Sequence, residues 1–294
     1  MVGEQIGMGG LDSVYSFGGT GCREKKRIAR GIFRCASYTP RSLVVSYQEK
    51  DRVLIKVTVS ILLVLASIAL IFKLFGFSKA IGLQVSENQF IAGQFRYQAL
   101  LLPLALFTVI ALYILNGEVV GRFLFVGDIG ASAGPVPLFG IKEGESWLSL
   151  GLSLSFFITL VTAAFMYFQV RAGGISMESL IPLIGWVLLF SLTNSLSEEL
   201  IFRVGIVSAL YDAVSPEYIM IISAVIFGLA HYGGMPSGLV GVFLAGLLGW
   251  LLMKSVLETQ GIFWAWFIHF LQDVVIFSGL VLLNLKGGTT TAPN

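Results

Sequence analysis

The sequence predicts an all-α polytopic membrane protein, with seven to eight transmembrane helices enclosing an intramembrane polar cavity. The chain of 294 residues is 56% hydrophobic and only 12% charged, about half the charge of an ordinary soluble domain, and its mean hydropathy is +0.86. Several apolar runs approach or exceed the ~18 residues that suggest a membrane-spanning helix. A long alternation of apolar and polar residues, the mark of a transmembrane barrel, is absent.

Taken in order, residues 1–52 read as a basic cytosolic segment. Ten of the 19 Lys and Arg residues fall in the first 56 positions, and that bias places the N-terminus in the cytosol. The stretch "MVGEQIGMGGLDS" lacks the apolar core of a secretory signal. Residues 13–48, poor in acids and carrying several Arg and Ser, also admit a reading as an organelle transit peptide. The membrane is then the plasma membrane in a prokaryote and an organelle or endoplasmic reticulum membrane otherwise. A net charge of only +2 with no accompanying motif argues against a nucleic-acid partner. Cys22 and Cys35 lack zinc-site spacing and fall in a reducing compartment, so they read as free thiols.

Residues 53–286 form the transmembrane domain. Spans are expected near 54–75, 98–116, 147–169, 179–203, 217–231, 237–253 and 261–284. The fourth run stays apolar to Tyr211, about 48 Å of helix against a hydrocarbon core of about 30 Å. It either overshoots the bilayer or breaks near Gly205, hence a count of seven or eight. Residues 117–146 read as a connector with an interfacial piece at Phe123 to Phe125. Residues 287–294 read as a disordered tail.

Six ionisable residues stand inside these spans: Glu198, Glu199, Arg203, His231, His269 and Asp273. A charge at the centre of a membrane helix costs ~3 kcal/mol even on lenient scales, and such residues default to functional hypotheses. They come as helical neighbours. Glu199 and Arg203 are four apart in "EELIFR", Phe227 and His231 in "FGLAH", His269 and Asp273 in "HFLQD", and each such pair shares a helix face. Glu198, one residue from Glu199, points ~100° away. The turn "DAVSPE" lies midway between Glu198 and His231, so an antiparallel hairpin puts both about 21 Å from it. His269 and Asp273 reach a similar depth from the turn near Gly261. Glu199 with Arg203 reads first as a self-neutralising ion pair. Both histidines of the chain, a second acid and a third carboxylate at one depth read as a site.

These residues carry a resemblance. "EELIFR", "FGLAH" and "HFLQD" are similar to the three signature motifs of the CPBP family, E-E-x-x-x-R, F-x-x-x-H and H-x-x-x-N/D. That family comprises type II CAAX prenyl proteases and bacteriocin-processing or self-immunity proteins. "GIFWAWFIHFLQD" also resembles the approach to its last motif. The resemblance covers about 178–284. It implies a membrane-embedded, glutamate-type endopeptidase of about eight helices, with a cavity open toward the cytosol and a peptide or prenylated protein as substrate among membrane lipids. Carried across, Glu198 is the base that activates water, with His231 in the second motif. His269 and Asp273 stabilise the oxyanion, while Glu199, Arg203 and Phe227 support the site. Many members have Asn where this chain has Asp273. An ionised Asp cannot donate to an oxyanion, so Asp273 is expected to orient His269.

Two other readings stand beside this one. Glu198, His231 and His269 form a ligand set that catalytic zinc uses, although H-E-x-x-H is absent. The expected enzyme has no cofactor, with zinc as the alternative. The same buried cluster also suits a proton- or ion-coupled transporter or a non-proteolytic membrane scaffold. Neither the substrate nor the oligomeric state is readable.

Overall fold

The computed structural model describes residues 47–285. The expectations for the N-terminal segment before Tyr47, for Cys22 and Cys35, for the transit peptide and for the tail 287–294 lie outside the described residues.

The described residues are overwhelmingly helical. Helix α1 spans Tyr47–Ala80, α2 Gln89–Leu124 and α3 Trp147–Ala172. A 3₁₀ turn at Met177–Leu183 leads into α4, Ile184–Glu199, which runs through a π turn at Leu200–Gly205 into α5, Ile206–Leu210. Helix α6 spans Pro216–Ala230, α7 Gly238–Thr259 and α8 Phe263–Leu283. Six of the helical stretches are long and apolar enough to cross a membrane, and α6 is a shorter apolar helix. The all-α polytopic class holds; among the described residues, six such stretches and one shorter apolar helix stand where seven spans were expected. The fourth run does not break at Gly205. It continues as helix over Met177–Leu210, with the π turn inside it.

Local chemistry sets the boundaries. Asn88 starts α2 by accepting hydrogen bonds from the Phe90 and Ile91 amides at 2.9 and 3.1 Å, satisfying N–H groups that have no intrahelical partner. Ser146 does the same for α3 through Leu148 N. Pro216 occupies the first turn of α6, where its missing N–H costs nothing. Helix α2 passes the expected stop at Asn116, which leaves helical geometry (φ −147°, ψ 62°) within a helix that resumes and reaches Leu124. The two ends of the expected interfacial piece differ, since Phe125 is exposed and Phe123 is not. Phe123 is buried at the end of α2, against Tyr211.

Helix α2 runs in the same direction as α4 and α5. Gln98 meets Thr193 near one end, and Arg122 donates to the Tyr211 hydroxyl at 2.9 Å near the other. Small residues allow the closest approaches, the usual device where lipid supplies no hydrophobic drive. A Cβ on Gly151 of α3 would fall 2.4 Å from the Trp264 ring of α8, and one on Gly228 of α6 2.6 Å from the Val242 carbonyl of α7. The connector 125–146 folds onto the turn between α7 and α8. It forms a two-residue hairpin, β1 (Ser132–Ala133) with β2 (Glu145–Ser146). Asp128 N donates to Thr259 O at 2.8 Å, Ile262 N to Phe125 O at 2.9 Å and Trp147 Nε1 to Glu258 Oε2 at 2.8 Å. Lys254 pairs with Glu258 at the same place.

Candidate active site

Four elements deliver the six ionisable residues to one place. Helix α4 carries Glu198 and Glu199 in its last turn, the π turn carries Arg203, the end of α6 carries His231, and α8 carries His269 and Asp273. The two glutamates face apart, as helical geometry requires. Glu199 is fully buried and Glu198 is 14% exposed.

On the inner face, Glu199 Oε2 stands 3.2 Å from Arg203 Nε, and both side chains are inaccessible. Arg203 also reaches Ser223 Oγ on α6 at 3.3 Å and the Phe202 carbonyl at 3.4 Å. Its guanidinium lies 4.3 Å from the centre of the Phe227 ring, a cation–π contact that strengthens when dry. The ion pair expected from "EELIFR" is therefore present, but it is not closed on itself. Glu199 Oε1 lies 2.8 Å from His269 Nδ1, so one carboxylate serves a guanidinium and an imidazole.

On the outer face, Glu198 Oε2 stands 3.9 Å from His231 Nε2 and 3.8 Å from His269 Nε2. That oxygen is buried and has no hydrogen-bond partner. His231 caps α6 and is about a third exposed. Its Nδ1 lies 2.8 Å from the Phe227 carbonyl. A carbonyl only accepts, so Nδ1 carries a proton there, and a ring with that proton alone offers Nε2 as an acceptor. Phe227 is buried among the site residues: its ring lies 4.3 Å from that of His231 and 5.9 Å, edge to face, from that of His269.

Asp273 departs from expectation. It was expected to orient His269, yet its Oδ1 lies 3.7 Å from Nε2, beyond hydrogen-bond reach and on the nitrogen that faces Glu198. Glu199 holds the other nitrogen. The short Asp side chain, one turn along the same helix, does not reach around the ring, whereas Glu199 approaches from a neighbouring helix. Asp273 instead accepts from Asn194 Nδ2 at 3.1 Å, and Asn194 Nδ2 also lies 3.1 Å from Glu198 Oε1. Asn194 had no place among the predicted site residues. Its signal was present all the same, four residues before Glu198 and on the same face.

Zinc needs ligand atoms about 2.0–2.2 Å from the metal, which places tetrahedral neighbours about 3.4 Å apart. Glu198 Oε2 is farther than that from both imidazole nitrogens. Among the described residues no group of three His, Cys, Asp or Glu is arranged to hold a metal. The geometry does not fit the zinc alternative.

Glu198, Glu199, Arg203, His231, His269 and Asp273 thus converge from elements of an apolar helical bundle. Residues 180–275 match the family model described as "Type II CAAX prenyl endopeptidase Rce1-like". All three motifs lie inside the match, so the CPBP resemblance holds over that third of the chain and supports a protease-type function. No curated protein and no solved structure matches the chain.

Proposed function

We propose that this protein is an intramembrane endopeptidase in which Glu198 activates a water molecule. The observation that carries the reading is the Glu198 Oε2 atom: buried, without a hydrogen bond, and 3.8 to 3.9 Å from two imidazole Nε2 atoms on separate helices. A water among these three atoms gives one hydrogen to Glu198 and the other to His231 Nε2. A general base at hydrogen-bond distance from the proton that it removes is the first requirement of such catalysis.

Glu198 takes a proton as the water oxygen attacks the peptide carbonyl carbon. His269, with a proton on each nitrogen, donates Nδ1–H to Glu199 and turns Nε2–H toward the developing oxyanion. A donor aimed in advance at that charge supplies much of the rate in acyl transfer. The Glu198 carboxylic acid then returns its proton to the leaving nitrogen, the C–N bond breaks to a carboxylic acid and an amine, and the acid's proton passes to the amine, so that a carboxylate and an ammonium depart. Arg203 and Phe227 hold Glu199 and the rings, and Asp273 acts through its contacts with Asn194 and His269. The protease core 178–284 sits in the membrane domain 53–286, and the N-terminus is cytosolic. The substrates are peptides delivered at the membrane: a prenylated C-terminal CAAX segment first, a bacteriocin leader or another membrane protein next.

The test is cleavage of a farnesylated CAAX peptide panel by protein purified in detergent, with Glu198→Ala as the control. Wild-type cleavage that Glu198→Ala abolishes is expected. Equal rates from the two proteins remove Glu198 from the chemistry.

A further inference from the structure

Asn194 ties the first motif to the third. It stands one helical turn before Glu198 on α4, and its Nδ2 lies 3.1 Å from Glu198 Oε1 and 3.1 Å from Asp273 Oδ2 on α8. Both partners are carboxylate oxygens, which only accept when ionised, so the amide must present its nitrogen, one hydrogen to each acid. The consequence appears at the other end of each carboxylate. With its Oε1 tied, Glu198 turns Oε2 to 3.8 Å from His269 Nε2. With its Oδ2 tied, Asp273 turns Oδ1 to 3.7 Å from the same atom. One amide thus fixes two outer oxygens and aims two inner ones.

Among the described residues no other side chain hydrogen-bonds to these outer oxygens. Arg203 and His269 Nδ1 are engaged with Glu199, and His231 Nδ1 with the Phe227 carbonyl. Without Asn194, two acids of like charge would share the site with no common donor. Repulsion between them in a medium of low dielectric favours their turning apart, and Oε2 would then leave the imidazoles.

We infer that Asn194 is a positioning residue: through its paired hydrogen bonds it holds Glu198 in the rotamer that points Oε2 at His231 and His269, and it makes the setting of Glu198 depend on Asp273. The inference rests on the proteolytic reading above for its kinetic consequence and on the hydrogen bonds alone for its structural one.

Two measurements test it. The first needs no substrate. Melting temperatures in detergent are compared for wild type, Asn194→Leu, the double variant Glu198→Gln with Asp273→Asn, and the triple variant. Leucine keeps the volume and deletes the donor. Asn194→Leu should lower the melting temperature by several degrees in wild type and by clearly less in the double variant, where the amide oxygens still accept from Asn194 but no like charges are left to repel. An equal drop in both backgrounds overturns the inference, because the loss then owes nothing to holding two acids together. The second is kinetic. Asn194→Leu should lower kcat about 10- to 100-fold, as expected for a displaced catalytic group, with KM within about twofold. Wild-type kcat, or a loss confined to KM, overturns the positioning role. If wild type and Glu198→Ala are equally inert on every peptide, the proteolytic reading falls instead, and the melting comparison still decides whether Asn194 clamps the two acids.

Discussion

His269 shows how much rests on single atoms. Its two nitrogens face different acids, Glu199 at Nδ1 and both Glu198 and Asp273 at Nε2, so one ring links the buried ion pair to the reacting side. Glu198→Ala, His231→Ala and His269→Ala should each lower peptide cleavage by about 10²- to 10⁴-fold in protein that still inserts, measured as initial rates on equal amounts of purified enzyme. Glu199 behaves differently. Removing either member of a buried ion pair leaves a lone charge and costs ~3–5 kcal/mol, so Glu199→Gln and Arg203→Met should each melt markedly earlier. The double variant should recover part of that loss yet stay slow, because the negative charge that Glu199 sets against His269 is gone with it. Full recovery of both stability and rate would show that the pair serves packing alone. Glu198→Gln should melt near wild type while failing to cleave. Activity should also survive thorough chelation, with elemental analysis finding no stoichiometric metal; one zinc per chain, lost together with activity, would make Glu198 a ligand instead of a base. The charged members of the candidate site stood out because a buried charge is expensive in an apolar run, whereas Phe227 entered through its spacing from His231 and the family resemblance. Asn194 was not, because a neutral amide among Ser and Thr residues on α4 looks like any helix hydrogen-bonding group until its partners are seen.

Elements were legible where composition changes sharply and obscure where it does not. The π turn at Leu200–Gly205 left no trace in "LIFRVG", since a run that is apolar on nearly every side reads the same at 3.6 or 4.4 residues per turn. The turn matters because it lies directly after the two glutamates and contains Arg203, and π turns recur at functional sites. The end of α2 was misplaced because "NGE" at 116–118 has the residues of a stop. Asn116 absorbs the irregular backbone and the helix resumes. Close helix contacts can be tested at this scale. At Gly151 any side chain meets the Trp264 ring, so Gly151→Leu should part α3 from α8 and destabilise the protein by about 1–3 kcal/mol, read as an earlier detergent melt. Gly76, with open space where its Cβ would stand, should accept alanine with little effect.

For the whole molecule, the segment order and the basic bias of the N-terminus make a topology that labelling can check. In a background of Cys22→Ser and Cys35→Ser, cysteines placed at Leu138 and Val214, both exposed, should react with an impermeant reagent from the cytosolic side. Cysteines at Ser86 and Met177 should react from the other. Labelling of all four from one side would discard the threading. Helix α6 carries a further consequence. Its 15 residues span about 22 Å while α2, with 36, spans about 54 Å. A bilayer core of about 30 Å matches neither. Where α6 stops, the segment from His231 to Ser237 turns back, with Gly234 N bonded to His231 O and Gly238 N to Tyr232 O; peptide groups left unpaired there cannot face hydrocarbon. A bilayer accommodates so short a helix by thinning beside it. On the proteolytic reading proposed above, a thinner bilayer brings water nearer to the site, so peptide turnover should rise in vesicles of shorter-chain lipids and fall in longer ones.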